Sequence, residues 1–274
     1  MNKKLIALVV VIVLAVAVAV VVWPRGGTPV AKHEVVTKYR ESSTTTAKDS
    51  TTEKDAVSAV PEPGVYTYST TGQETVKLGP FPAETREFPA EVAASLAASE
   101  TPDTLTDAKC FSFELNLIAE HVERSQFCAQ KSEGSTRSLQ IASHVKNMKM
   151  GPASPEATLT CDPKLTIAAG ADLKDIACVL SLGGGPMEVK ADLLGSVTVG
   201  EIEEIVVGGT PVETRPVSID YVASGKVSGT WSEKIWFSES DWLPVRIVRQ
   251  IDLSGPASIS ESSELNLKTL EPST

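Results

Sequence analysis

Residues 111–118 read Phe-Ser-Phe-Glu-Leu-Asn-Leu-Ile. Phe113, Leu115 and Leu117 alternate with Ser112, Glu114 and Asn116. Successive side chains of an extended chain point to opposite faces, so a period of two predicts a β-strand with one buried and one wet face. Ile176, Cys178, Leu180 and Leu182 alternate with Ala177, Val179 and Ser181, less cleanly because Val179 is apolar. Ile202, Val206 and their neighbours, Val212–Tyr221, Lys226–Phe237 and Val245–Leu253 also suit strands. Thr71-Gly72, Gly183-Gly184-Gly185-Pro186, Gly208-Gly209 and Ser224-Gly225 separate the runs as turns. Ala90–Ser99 stays open: its alanines favour helix, and its place after Phe88-Pro89 favours extended chain. No amphipathic helix is evident. These signs predict a mainly β domain over residues 62–274, with about ten to twelve strands. One curved antiparallel sheet (a half-barrel) or a two-sheet sandwich would bury one face of each strand.

All four cysteines, Cys110, Cys128, Cys161 and Cys178, lie in this domain. Four cysteines allow three pairings. Cys110–Cys128 and Cys161–Cys178 each flank what reads as one hairpin, and a loop of that size contributes about 3 kcal/mol when closed. Close ligand spacing of the C-x₂-C kind is absent, so no metal is expected.

Residues 1–23 are a different material. Leu5 to Trp23 is 19 residues without a polar side chain. As a helix it spans roughly 28 Å, close to the hydrocarbon thickness of a bilayer. Lys3 and Lys4 precede it and place the amino terminus in the cytoplasm. Ala17-Val18-Ala19 offers a cleavage pattern, yet Val20, Val21 and Val22 continue the apolar run, which favours an uncleaved signal anchor in the plasma membrane. No cysteine lies near for a lipid anchor. Residues 24–61 are rich in serine and threonine and read as a disordered tether with a mean reach of about 35 Å. Residues 62–274 then stand outside the cytoplasm as a single domain, where disulfides persist.

Charge narrows the function. The chain holds 25 basic and 35 acidic residues, a net charge of −10. It lacks the basic field that grips nucleic acid. One apolar run is too few for a channel or transporter. The sequence holds no G-x-S-x-G, H-E-x-x-H, G-x-G-x-x-G, P-loop or C-x-x-C. His121 falls at the turn Ala119-Glu120-His121 and His144 in the polar run Ser143-His144-Val145-Lys146, so both read as solvated. Glu201, Glu203 and Glu204 read as an exposed acidic face. No catalytic residue and no cofactor is assigned, and the protein reads as no enzyme.

The ligand-binding candidates are two tryptophans. Trp231 and Trp236 are five positions apart, so on one strand they face opposite ways. The odd-numbered face (Val227, Gly229, Trp231, Ile235, Phe237) is apolar, so Trp231 is the expected core member, with Glu233 an unexplained exception on that face. Trp236 is expected to be exposed or to cover the mouth of a pocket.

Pro63-Gly64-Val65-Tyr66-Thr67-Tyr68, then Thr71-Gly72-Gln73-Glu74 and Arg86-Glu87-Phe88-Pro89-Ala90-Glu91, resemble a group of anchored or secreted envelope proteins of high-GC Gram-positive bacteria. The two cysteine pairs and the strand from Trp236 to Arg246, with its Leu-Pro-Val-Arg, extend the likeness over most of 63–250. More distantly, the tryptophan strand is similar to the lipoprotein-carrier superfamily. That resemblance implies a curved half-barrel around an apolar cavity. The combined expectation is a membrane-anchored extracytoplasmic binding module for an apolar or lipid ligand. The alternative is a structural or sensory ectodomain that binds an envelope protein.

Overall fold

The computed structural model describes residues 26–46, 60–102, 105, 108–131, 137–184 and 188–274. The apolar run Leu5–Trp23 lies outside them. Among the described residues no helix is long and apolar enough to cross a membrane. Among the described residues one helix, α1 (Lys32–Thr46), precedes fifteen strands. They are β1 (Gly64–Leu78), β2 (Glu84–Glu87), β3 (Glu91–Ser99), β4 (Lys109–Ile118) and β5 (His121–Lys131). Next come β6 (Arg137–Met148), β7 (Glu156–Asp162), β8 (Leu165–Ala168), β9 (Leu173–Gly183) and β10 (Val189–Val199). The last are β11 (Glu203–Val207), β12 (Thr210–Ser224), β13 (Ser228–Ser238), β14 (Pro244–Ser254) and β15 (Ala257–Leu267). The open run Ala90–Ser99 is thus strand from Glu91 onward.

The sheet is antiparallel and closed. Its order is β10-β9-β7-β6-β5-β4-β3-β1-β15-β14-β13-β12, and β10 pairs with β12 to complete a twelve-strand barrel. The half-barrel and the sandwich are therefore corrected to a closed barrel, which leaves no free edge along the seam. Closure depends on long strands that divide one edge between two partners. In β12, Thr210–Thr214 pairs with β11, and Val217–Ser224 pairs with β10. Pro216, which has no N–H to donate, sits at that switch. In β1, residues 64–69 pair with β3 and 73–76 with β2. Gly72 marks the change, with φ +130° and the Ser262 carbonyl 2.0 Å from where a Cβ would stand. In β6, 138–141 pair with β8 and 144–147 with β7.

Both disulfides form as read. Cys110 and Cys128 oppose each other across β4 and β5, and Cys161 and Cys178 across β7 and β9. The second pair does not close a simple hairpin, because β8 intervenes and pairs with β6 instead.

The disordered tether is corrected over residues 26–46. Val35 of α1 packs on Val65 and Ala93, supported by Val30, Val36 and Tyr39. Lys38 bonds Glu114 at 2.7 Å, and the Arg40 guanidinium donates to the Thr274 carbonyl. Residues 47–59 lie outside the described part.

Apolar side chains line the interior. Tyr66, Tyr68, Phe111, Phe113, Phe127 and Phe237 occupy one end of the barrel, the end of the β3–β4 and β13–β14 connections. Val76, Leu78, Met148 and Met150 form a separate apolar cluster toward the other end, the end of the β4–β5 and β6–β7 turns.

Candidate functional site

Between these apolar regions lies a belt of buried charge. Its members come from β1 (Glu74), β2 (Arg86), β5 (His121, Glu123), β6 (Lys146), β13 (Glu233), β14 (Arg249) and β15 (Glu261). Glu74 and Glu261 stand directly opposite in the β1–β15 register, an unfavourable like-charge pair unless cations intervene. They do intervene. Glu74 takes the His121 Nδ1 contact at 2.6 Å and Arg86 at 3.3 Å. His121 Nε2 lies 2.9 Å from Glu123. Lys146 Nζ joins Glu123 at 2.7 Å and Glu261 at 3.3 Å. Arg249 reaches Glu123 at 2.9 Å, Glu233 at 2.7 Å and Glu261 at 3.0 Å. Ser263 Oγ donates to Glu261 at 2.8 Å.

His121 is not a solvated turn residue; it is fully buried. Burial alone pushes its imidazole down, but the carboxylates of Glu74 and Glu123 reverse that and carry its pKa up to about 9. The belt then holds four carboxylates (Glu74, Glu123, Glu233, Glu261) against four cations (Arg86, His121, Lys146, Arg249). Burial raises Glu261, yet Lys146 and Arg249 bring it down to about 2. Glu74, His121 and Glu261 place one possible metal-ligand atom each within 4.8 Å. Arg86, Lys146 and Arg249 already neutralise those carboxylates, so an added cation would have to displace them. The geometry is that of an internal ion-pair network.

Trp231 faces inward as read, 3% exposed, with the rings of Tyr221 and His144 at 5.3 and 5.4 Å and Lys146 Nζ 4.9 Å from its ring centre. Beside it is a cavity of about 40 Å³, bounded by Ser125, Phe127, His144, Tyr221 and Glu233 among others. His144 is buried, again against expectation, and burial lowers its pKa to about 4. Its Nδ1 shares a 2.8 Å hydrogen bond with Ser125 Oγ. Among the described residues His144 Nε2 and Trp231 Nε1 have no hydrogen-bond partner. The cavity has room for roughly three water molecules.

Trp236 sits on the outer face, as its parity requires, but it is not exposed. Lys234 and Arg246 cover its ring at 4.5 and 4.8 Å, and its Nε1–H donates to Glu203. It belongs to a surface cation–π stack. Glu201, Glu203 and Glu204 are exposed, as read.

The apolar cavity lies elsewhere, at the Met148 end of the barrel. It measures about 70 Å³ and is lined by Val76, Leu78, Met148, Met150, Leu182 and Val227, with further aliphatic neighbours. Leu180, Leu182, Ala257 and Ile259 are the part-exposed apolar members of its wall. Methionines are unbranched and adapt to irregular guests. Sequence reasoning missed this site because its lining comes from seven strands and the turns beside them, none of which has an unusual pattern alone. The pair Met148 and Met150 was the available signal.

Comparison with protein-family models, with curated proteins and with solved structures finds no match.

Proposed function

We propose that the protein is a membrane-anchored, extracytoplasmic binding module of the cell envelope that takes an apolar chain into the Met148 end of its barrel. The apolar cavity carries this reading, for its lining offers a guest almost nothing but aliphatic and thioether surface. Its size suits the terminus of an acyl chain rather than a whole lipid. The run Leu5–Trp23 supports the anchor, and the likeness to envelope proteins supports the location. Trp231 serves the core beside the charge belt and Trp236 the outer wall, so neither is placed at the ligand.

The test uses the full chain, held in amphipol, and cis-parinaric acid as a fluorescent probe. Leu182→Trp fills the cavity and should weaken probe binding at least tenfold. Equal binding by both proteins would remove the cavity as the site. A second reading has its own observation: Leu194 and Val222 are paired across β10 and β12 on the outer wall, beside Val179, and all three are exposed. That patch would suit a protein partner. Leu194→Lys should then abolish partner capture while leaving parinarate binding unchanged.

A further inference from the structure

The first described residues are built into the same end of the barrel as the apolar cavity. The Gly27 N–H donates to the Glu87 carbonyl of β2 at 3.3 Å. The Thr28 carbonyl accepts from the Ala119 N–H at 2.9 Å, in the β4–β5 turn. Thr28 also donates its N–H and its Oγ to the Glu120 carboxylate, at 2.9 and 2.6 Å. The fit is close, since a Cβ on Gly27 would stand 2.6 Å from Ile118. The Glu120 carbonyl in turn accepts from the Lys149 N–H at 2.7 Å. Lys149 stands between Met148 and Met150, two residues of the cavity wall. From this strap α1 runs along the outer wall to the opposite end, where Arg40 meets Thr274.

The segment that precedes the strap is Leu5–Trp23, followed by Pro24 and Arg25. Three Cα–Cα steps separate Trp23 from Gly26, at most about 11 Å. An anchor that ends at Trp23 therefore holds the Met148 end near the bilayer, and α1 sets the opposite end away from it. Phe81, in the β1–β2 turn at the near end, is 37% exposed, as an aromatic at a lipid interface would be.

We infer that the cavity end of the barrel faces the lipid surface, and that its guest is an acyl chain drawn from the adjacent leaflet. The inference rests on the apolar-chain reading above and adds the source and the route. A methylene chain taken through water is heavily disfavoured, whereas a mouth held at the interface accepts it directly.

The experiment reconstitutes the full chain in phosphatidylcholine–phosphatidylglycerol vesicles that contain a phospholipid with a diazirine at one acyl terminus. After photolysis, labelled peptides are mapped by mass spectrometry. A variant with thirty Gly/Ser residues inserted between Arg25 and Gly26 keeps the strap and cavity but lengthens the leash. The lipid should label peptides covering 78–81 and 148–155 in the parent, and about tenfold less in the variant. A water-soluble diazirine-bearing decanoate should label the same peptides equally in both. If decanoate labels the cavity but the bilayer lipid labels only the anchor or the far loop 239–243, the orientation is wrong and the cavity reading stands. Equal lipid labelling of parent and variant also overturns the orientation. If neither probe labels the cavity peptides, both readings fall.

Discussion

Glu233 interrupts an apolar strand face because it is an acceptor for Arg249, and Arg249 also serves Glu123 and Glu261. Removing that guanidinium leaves three carboxylates short of a partner in a buried place. Arg249→Met should cost about 3–5 kcal/mol, the range for breaking a buried ion pair from one side, measured by chemical denaturation; a cost under about 1 kcal/mol would refute the network. The two histidines make a second prediction, with opposite signs. His121 has a folded pKa raised to about 9, above an ordinary unfolded value, so its contribution is complete below about pH 6.5 and is lost as pH rises through 9. His144 is lowered to about 4, so between pH 6.5 and 4 the unfolded chain binds the extra proton and stability falls with acid. Stability should peak near pH 6.5. His121→Gln should flatten the alkaline limb and His144→Gln the acid limb; a profile in which each removes the other limb would reverse the assignment. The tryptophan parities were legible from the strand pattern, and the burial of these histidines was not. A polar residue beside a turn looks solvated until the partners that bury it arrive, and Glu74 lies 47 positions from His121.

At the scale of elements, the strands were readable because alternation is local, whereas α1 was not. Lys32–Thr46 holds few apolar residues, and its apolar packing on the barrel comes from Val35 and its near neighbours. Its position depends on contacts supplied by β1, β3 and β4, which no window of local sequence includes. The composition rule for disorder fails here because the segment adds itself to an existing surface and needs no core of its own. A single charge should therefore release it. Val35→Asp should speed tryptic cleavage after Lys38 and Arg40 at least tenfold and leave the barrel transition almost unchanged. A loss of the whole barrel would mean that α1 is part of the folding unit. The site's legibility follows the same rule. Its two methionines were visible, but the seven strands that line the cavity converge only in the closed sheet.

For the whole molecule, closure is the feature that local sequence carries least. A half-barrel and a closed barrel require the same apolar–polar alternation, and differ only in whether the first and last strands find each other. Here the meeting strands are β10 and β12, joined over Asp192–Val199 and Val217–Ser224. The contact is made possible by the displacement of β11, which pairs with Thr210–Thr214 and leaves the rest of that edge free for β10. Leu193, Val197, Val217, Ile219 and Tyr221 then join one continuous core. Amide exchange measures this directly, because a free edge exposes its N–H groups to water and a seam does not. In the full chain, amides of β10 and of Val217–Ser224 that face each other should be protected as strongly as those between β13 and β14. Those of β11, a short outer hairpin arm, should exchange much faster. If the β10 edge exchanges at the β11 rate while β13–β14 stays protected, the barrel is open at this seam in solution. The cavity wall contributed by Leu180, Leu182, Val189 and Ala191 would then be separable from the remainder, and a guest would enter through the seam instead of the end.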